Sequence, residues 1–159
     1  MSNLIRLPYS PRQQFKPFHD NEKRWSCIVA HRRAGKTVAC IRHLERAALK
    51  ATKPNPRFAY IAPLYKQAKD VAWQYVKDGA GPLVPHGAKI NESELRVDYP
   101  NGGRLRLYGA DNPDALRGVR LDGCVIDEVA QIRPEVWEEI VQPALSDRLG
   151  WAAFIGTPK

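Results

Sequence analysis

Eight consecutive residues, Ala30-His31-Arg32-Arg33-Ala34-Gly35-Lys36-Thr37, combine small residues, a lysine and a hydroxyl in an order suited to holding phosphate. They follow an apolar run, Trp25-Ser26-Cys27-Ile28-Val29, and lead into a helical pattern that begins at Val38. In a strand–loop–helix setting, backbone N–H groups of such a loop, those of Arg33, Ala34 and Gly35 among them, point at a polyphosphate. Lys36 adds a point charge, and the Thr37 hydroxyl is an oxygen ligand for Mg²⁺. The spacing is that of the phosphate-binding G-x-x-x-x-G-K-[ST] loop with Ala30 in place of the first glycine. Alanine fills that position only where φ is negative. A merely basic surface loop is the competing reading, and the flanking strand and helix weigh against it.

Two further elements could complete a site. Asp127-Glu128 directly follows the apolar run Gly123-Cys124-Val125-Ile126. A carboxylate at the end of a strand can hold a Mg²⁺ shared with Thr37 and a nucleotide, and the adjacent acid is suited to activating a water. On its own, a strand-ending turn explains the pair as well. Its pairing with the upstream loop is what favours chemistry. The third element is Gly156-Thr157-Pro158 after Trp151-Ala152-Ala153-Phe154-Ile155. It could sit beside the loop and sense a γ-phosphate, or simply terminate a strand.

The elements that must position these residues follow from hydrophobic periodicity. Strands are predicted at Trp25–Val29, Arg57–Ala62, Gly123–Ile126 and Trp151–Ile155. Helices are predicted at about 14–21, 37–50 and 65–77, with a further one starting near Pro134 that Pro143 kinks or ends. Leu95 to Tyr99 and Arg104 to Tyr108 alternate apolar with polar residues around Asn101-Gly102-Gly103, which predicts a β-hairpin at the edge of the sheet. Apolar strands alternating with amphipathic helices indicate an α/β fold with a mainly parallel central sheet flanked by helices. The extra strand and the acid after Asp127 suggest a P-loop NTPase of the additional-strand, catalytic-glutamate type. Residues 1–24, rich in proline and polar side chains, read as a lead-in segment to a single domain spanning 1–159.

The 159 residues are 43% hydrophobic and 26% charged, which is ordinary for a globular chain. No apolar run approaches the ~20 residues that cross a bilayer, so no membrane partner is expected. Cys27, Cys40 and Cys124 have no metal-type spacing, and three cysteines make no disulfide framework; all are expected in the core. A net charge of +8 biases the partner toward a polyanion, nucleotide or nucleic acid, although the basic residues are scattered along the chain.

The order of Pro11-Arg12-Gln13-Gln14-Phe15, the paired-arginine loop without its first glycine, Val125-Ile126-Asp127-Glu128 and the terminal Gly156-Thr157-Pro158 resembles the ATPase domain of tailed-bacteriophage large terminase subunits. The resemblance covers essentially the whole chain. It implies an ATP-hydrolysing motor that uses Mg²⁺ and drives double-stranded DNA into a procapsid, and a family nuclease domain that lies outside these residues. The chain therefore reads as part of a longer polypeptide, with a final strand beside the loop strand also outside it.

The resemblance implies Lys36 and Thr37 as phosphate and Mg²⁺ ligands, Arg32 as a γ-phosphate arginine, Asp127 as the Mg²⁺-linked aspartate and Glu128 as the base. Gly156 and Thr157 fall in the motif that couples hydrolysis to movement. Gln14 falls near the adenine, with Tyr9 and Arg12 as helpers. Arg117 resembles an arginine inserted into a neighbouring subunit's site, and Arg120 is close enough to take that part instead. Arg33 is either backbone-facing or DNA-facing, and His31 is a loop residue without a proton-transfer task. The partners implied are double-stranded DNA, a portal protein and a small terminase subunit. Assembly is into a homo-oligomeric ring, with a monomer in isolation, in the cytoplasm of an infected bacterium. Two rival readings of the sequence stand beside this one: a helicase-like remodelling ATPase, and a nucleotide-binding module without turnover.

Overall fold

The computed structural model describes residues 5–158. Its strands are β1 (Trp25–Val29), β2 (Arg57–Ala62), β3 (Lys89–Asn91), β4 (Arg96–Asp98), β5 (Arg104–Gly109), β6 (Gly123–Ile126) and β7 (Trp151–Gly156). They form one sheet in the order β1-β7-β6-β2-β5-β4-β3. The first five in that order pair in parallel, and β4 and β3 add antiparallel at one end. Parallel neighbours need long crossovers, and three helices supply them. These are α1 (Lys36–Lys50), α2 over residues 65–80 and α3 over residues 134–146.

Side chains alternate across the sheet, so the central strands β2, β5, β6 and β7 feed two cores. Phe58, Tyr60, Leu105, Leu107, Val125 and Ile155 pack on one face with Ile41, Leu44 and Ala48 of α1 and Ala72, Trp73 and Val76 of α2. Ala59, Ile61, Tyr108, Cys124 and Ile126 pack on the other with Val136, Ile140, Val141 and Leu145 of α3. Burial on both faces explains why these strands read as unbroken apolar runs.

Several expectations are refined. The lead-in helix is two short turns, Gln13–Phe15 and Lys16–His19. Neither strand of the predicted hairpin is the edge: β5 pairs in parallel with β2 on its other side, β4 lies between β5 and β3, and β3 ends the sheet. Leu95 is not extended but left-handed, with φ 50°, so β4 begins one residue later. The short strand β3 has no counterpart in the sequence pattern, since three residues carry no periodicity. Pro143 neither ends α3 nor leaves it regular: a wide π-type turn, Trp137–Val141, precedes it. Such a turn is one way a helix absorbs a residue without an N–H. Cys40 and Cys124 are buried, but Cys27 is exposed. It lies on β1, at the other margin of the described sheet, where one side of the strand has no neighbour.

Candidate nucleotide site

The loop leaving β1 carries the first half of the site. Ala30 N–H donates to Gly156 O (3.2 Å), so the chain stays paired to β7 as it turns. Ala30 is outside the positive-φ region, whereas Arg33 (φ 64°) and Gly35 (φ 88°) are left-handed. Left-handed residues in a tight loop gather N–H groups into an anion-binding concavity. At Gly35 a side chain would be strained by that φ and would also touch the Arg12 guanidinium, 3.4 Å from an added Cβ. Lys36 opens α1, so the helix N-terminus faces the same space. Thr37 follows it in the first turn, half-buried. His31, Arg32 and Arg33 are exposed on the loop.

Lys36 is already engaged. Its Nζ donates to Gly156 O (3.3 Å) and to Thr157 Oγ1 (2.5 Å), and Thr157 Oγ1 donates onward to Glu128 Oε1 (3.0 Å). One chain of hydrogen bonds thus joins all three elements singled out in the sequence. Parallel pairing of β1 with β7 and of β7 with β6 brings the ends of these strands side by side.

Asp127 continues β6, its N–H donating to Ile61 O (2.8 Å). Its carboxylate accepts Glu128 N–H (2.9 Å) at Oδ1 and the Tyr60 hydroxyl at Oδ2. Burial raises its pKa above the usual carboxylate range, and those two hydrogen bonds work against the rise. Glu128 turns off the strand in a left-handed conformation, φ 47° and ψ 48°. This conformation costs a non-glycine residue about 1–2 kcal/mol and leaves its carboxylate on Thr157. Tyr60 escapes a reading of the sequence because it sits in an apolar strand and looks like core. The available signal is that a buried tyrosine hydroxyl needs a partner.

The oxygens of Thr37 and Asp127 are the hard donors that Mg²⁺ prefers. Among the described residues no group of three or more His, Cys, Asp or Glu is gathered. Such a sparse set fits an ion held largely by water and substrate phosphates rather than by a protein cage.

The lead-in segment is strapped to the loop. Arg12 and Gln14 both donate to Ala34 O, at 3.0 and 3.2 Å. Tyr9 instead bonds His19 Nε2 (2.9 Å) and lines a cavity over α1 with Arg42, Glu45 and Arg46. Arg117 pairs with Asp114 (3.1 Å) and Arg120 with Asp147 (3.5 Å), both exposed beside the second half of α3. Among the described residues neither bonds the phosphate loop, Asp127 or Glu128.

Comparison with known proteins bears directly on this arrangement. The ATPase domain of the large terminase of Thermus phage P74-26 superposes with a TM-score of 0.81 at 30% identity, covering 96% of this chain and 67% of that one. The chain belongs to the large-terminase ATPase-domain family. The large terminase subunit of Thermus phage G20c is 30% identical over 170 residues, again across 96% of this chain. The chain spans about a third of that relative's length (35%). The large terminase of another thermophilic bacteriophage, solved with ATP-γ-S, shares the terminase fold at 20% identity and a TM-score of 0.62, covering 83% of this chain and 32% of that one. No protein-family model matches the chain. Among the described residues no helix is long and apolar enough to cross a membrane.

Proposed function

We propose that this chain is the ATPase motor of a phage DNA-packaging terminase, binding ATP across the C-terminal edge of its sheet and hydrolysing it to move double-stranded DNA. The observation that carries this reading is the hydrogen-bonded series Lys36–Thr157–Glu128, which gathers phosphate lysine, coupling hydroxyl and base at one place. The family relatives named above support it.

In this reading the loop N–H groups of Arg33, Ala34 and Gly35 cradle the phosphates, and Lys36 leaves Gly156 O and Thr157 to bind them. Thr37 and Asp127 would hold Mg²⁺, which when bound neutralises phosphate charge. Glu128 accepts a proton from the attacking water, and the water oxygen bonds phosphorus as the ADP oxygen leaves. Arg32 reaches the γ-phosphate, while Arg117, or Arg120, enters from a neighbouring copy. An arginine supplied in trans is worth roughly 10³–10⁵ in rate. Gln14 and Arg12, already anchored on Ala34 O, border the adenine with Tyr9. Departure of the γ-phosphate returns Lys36 to Thr157 and shifts the Gly156–Pro158 segment.

Double-stranded DNA, a portal protein and a small terminase subunit are the partners of this motor, in a homo-oligomeric ring in the infected host's cytoplasm. Mg²⁺-dependent ATP turnover as a function of protein concentration tests the reading. Specific activity that rises with concentration supports a site completed in trans, and an absence of any nucleotide binding overturns it.

A further inference from the structure

The basic residues, scattered along the sequence, converge in space at one groove. Arg57 and Arg104 are register partners on adjacent parallel strands, and Arg106 lies two residues further along on the same face. With Arg120 and Arg148 they line a groove of about 290 Å³. Arg57 opens β2, Arg104 opens β5, and Arg120 and Arg148 precede β6 and β7. The groove therefore lies at the N-terminal ends of the parallel strands. The nucleotide site lies at their C-terminal ends, on the order of 20 Å away along a strand of this length.

Like charges directly opposite in a sheet destabilise it, and this groove keeps them. Burial, followed by the neighbouring Arg104, pushes the pKa of Arg57 below its ordinary value, and Arg148 adds to the effect. Three carboxylates answer five guanidiniums: Asp98 on Arg104 (2.6 Å), Asp122 on Arg148 (3.2 Å) and Asp147 on Arg120 (3.5 Å). Arg57 spends its guanidinium on the carbonyls of Pro56 and Gly102 (both 3.0 Å). Arg106 lies over the Tyr108 ring, 5.0 Å from its centroid, and its buried Nε has no hydrogen-bond partner among the described residues. The groove thus gathers more guanidiniums than carboxylates, and guanidinium forks suit phosphate oxygens.

We propose that this groove holds backbone phosphates of double-stranded DNA, at the end of the sheet opposite the nucleotide; the choice of DNA rests on the packaging reading above. Duplex fits better than single strand. The aromatic rings lining the groove, Phe58 and Tyr108, are 4% and 5% exposed and offer no platform on which bases could stack. Contact to phosphates alone makes the binding insensitive to sequence and steeply dependent on salt.

The test is salt-dependent binding of a blunt duplex of ~30 base pairs to the parent chain, to R104A/R106A and to R104K/R106K, starting near 50 mM salt where phosphate contacts are strong. The alanine pair is expected to weaken binding and to lower the slope of log K against log salt by about 2, and the lysine pair to restore the slope. ATP affinity, measured on the same samples, stays at the parental value because both residues lie far from the loop. Parental slope and affinity in R104A/R106A overturn the groove while leaving the ATPase reading intact. Loss of ATP binding by the parent chain strikes that reading instead. Selective loss of binding to polyglutamate, with duplex binding unaltered, overturns the proposal in favour of an acidic protein partner.

Discussion

Lys36 and Glu128 are tied together through one hydroxyl: Thr157 Oγ1 accepts from the Lys36 ammonium and donates to the Glu128 carboxylate. In the proposed reading Lys36 is the phosphate lysine and Glu128 the base, so the two share one hydroxyl. In that reading a γ-phosphate competes for Lys36, and breaking the first bond frees Thr157 and repositions Glu128. Binding and catalytic readiness are then coupled, as proposed, through that exchange.

Thr157→Val removes the hydroxyl at nearly constant volume. Nucleotide affinity should stay within about threefold, because Lys36 keeps its charge, while turnover falls by roughly 10–10² as Glu128 loses its support. Turnover at the parental rate would show that the bond is incidental. Steady-state kinetics beside equilibrium nucleotide binding separates the two.

Lys36→Ala removes the charge-assisted contact to phosphate. Nucleotide affinity should drop by roughly 100-fold or more, measured by calorimetry or fluorescent-analogue titration. Unchanged affinity would sink the phosphate-loop assignment.

Tyr60→Phe takes one of two donors from the half-buried Asp127 carboxylate. Stability should fall by about 1–2 kcal/mol in denaturant unfolding, and the Mg²⁺ concentration for half-maximal turnover should rise. A Mg²⁺ requirement equal to the parent's would mean that Tyr60 does not orient Asp127.

His43 lies on α1 between Phe18, His19 and Trp151. Burial, then His19 and Arg46, lowers its pKa to about 4. The folded state therefore favours the neutral ring, and the unfolded chain takes up the proton first. Stability is fully present above the ordinary value of ~6.5 and is lost as pH falls toward 4, by about 3 kcal/mol in total. Thermal unfolding midpoints should drop between pH 7 and pH 5 in the parent and much less in His43→Phe. Equal drops would contradict the assignment.

The candidate nucleotide end of the molecule is largely legible in the sequence, for a physical reason. Phosphate binding needs a contiguous loop of special backbone and a charged side chain at a helix start, so Gly35, Lys36 and Thr37 cannot be dispersed. The strands ending at Asp127 and Gly156 are legible because parallel strands buried on both faces are apolar runs. Contacts between distant segments are not. Tyr60 meets Asp127, and Arg57 meets Arg104, only through sheet register, which no local pattern encodes. The apolar strand around Cys27 points to the core, but strand order sets that residue's exposure.

The most direct test of the motor assignment is ATP hydrolysis by the parent chain and by Glu128→Gln, with Mg²⁺, across a range of protein concentrations, with and without duplex DNA. The account predicts parental activity that climbs with concentration, and a variant that binds ATP as tightly yet turns over at least ~10²-fold more slowly. Hydrolysis by Glu128→Gln at the parental rate would contradict it.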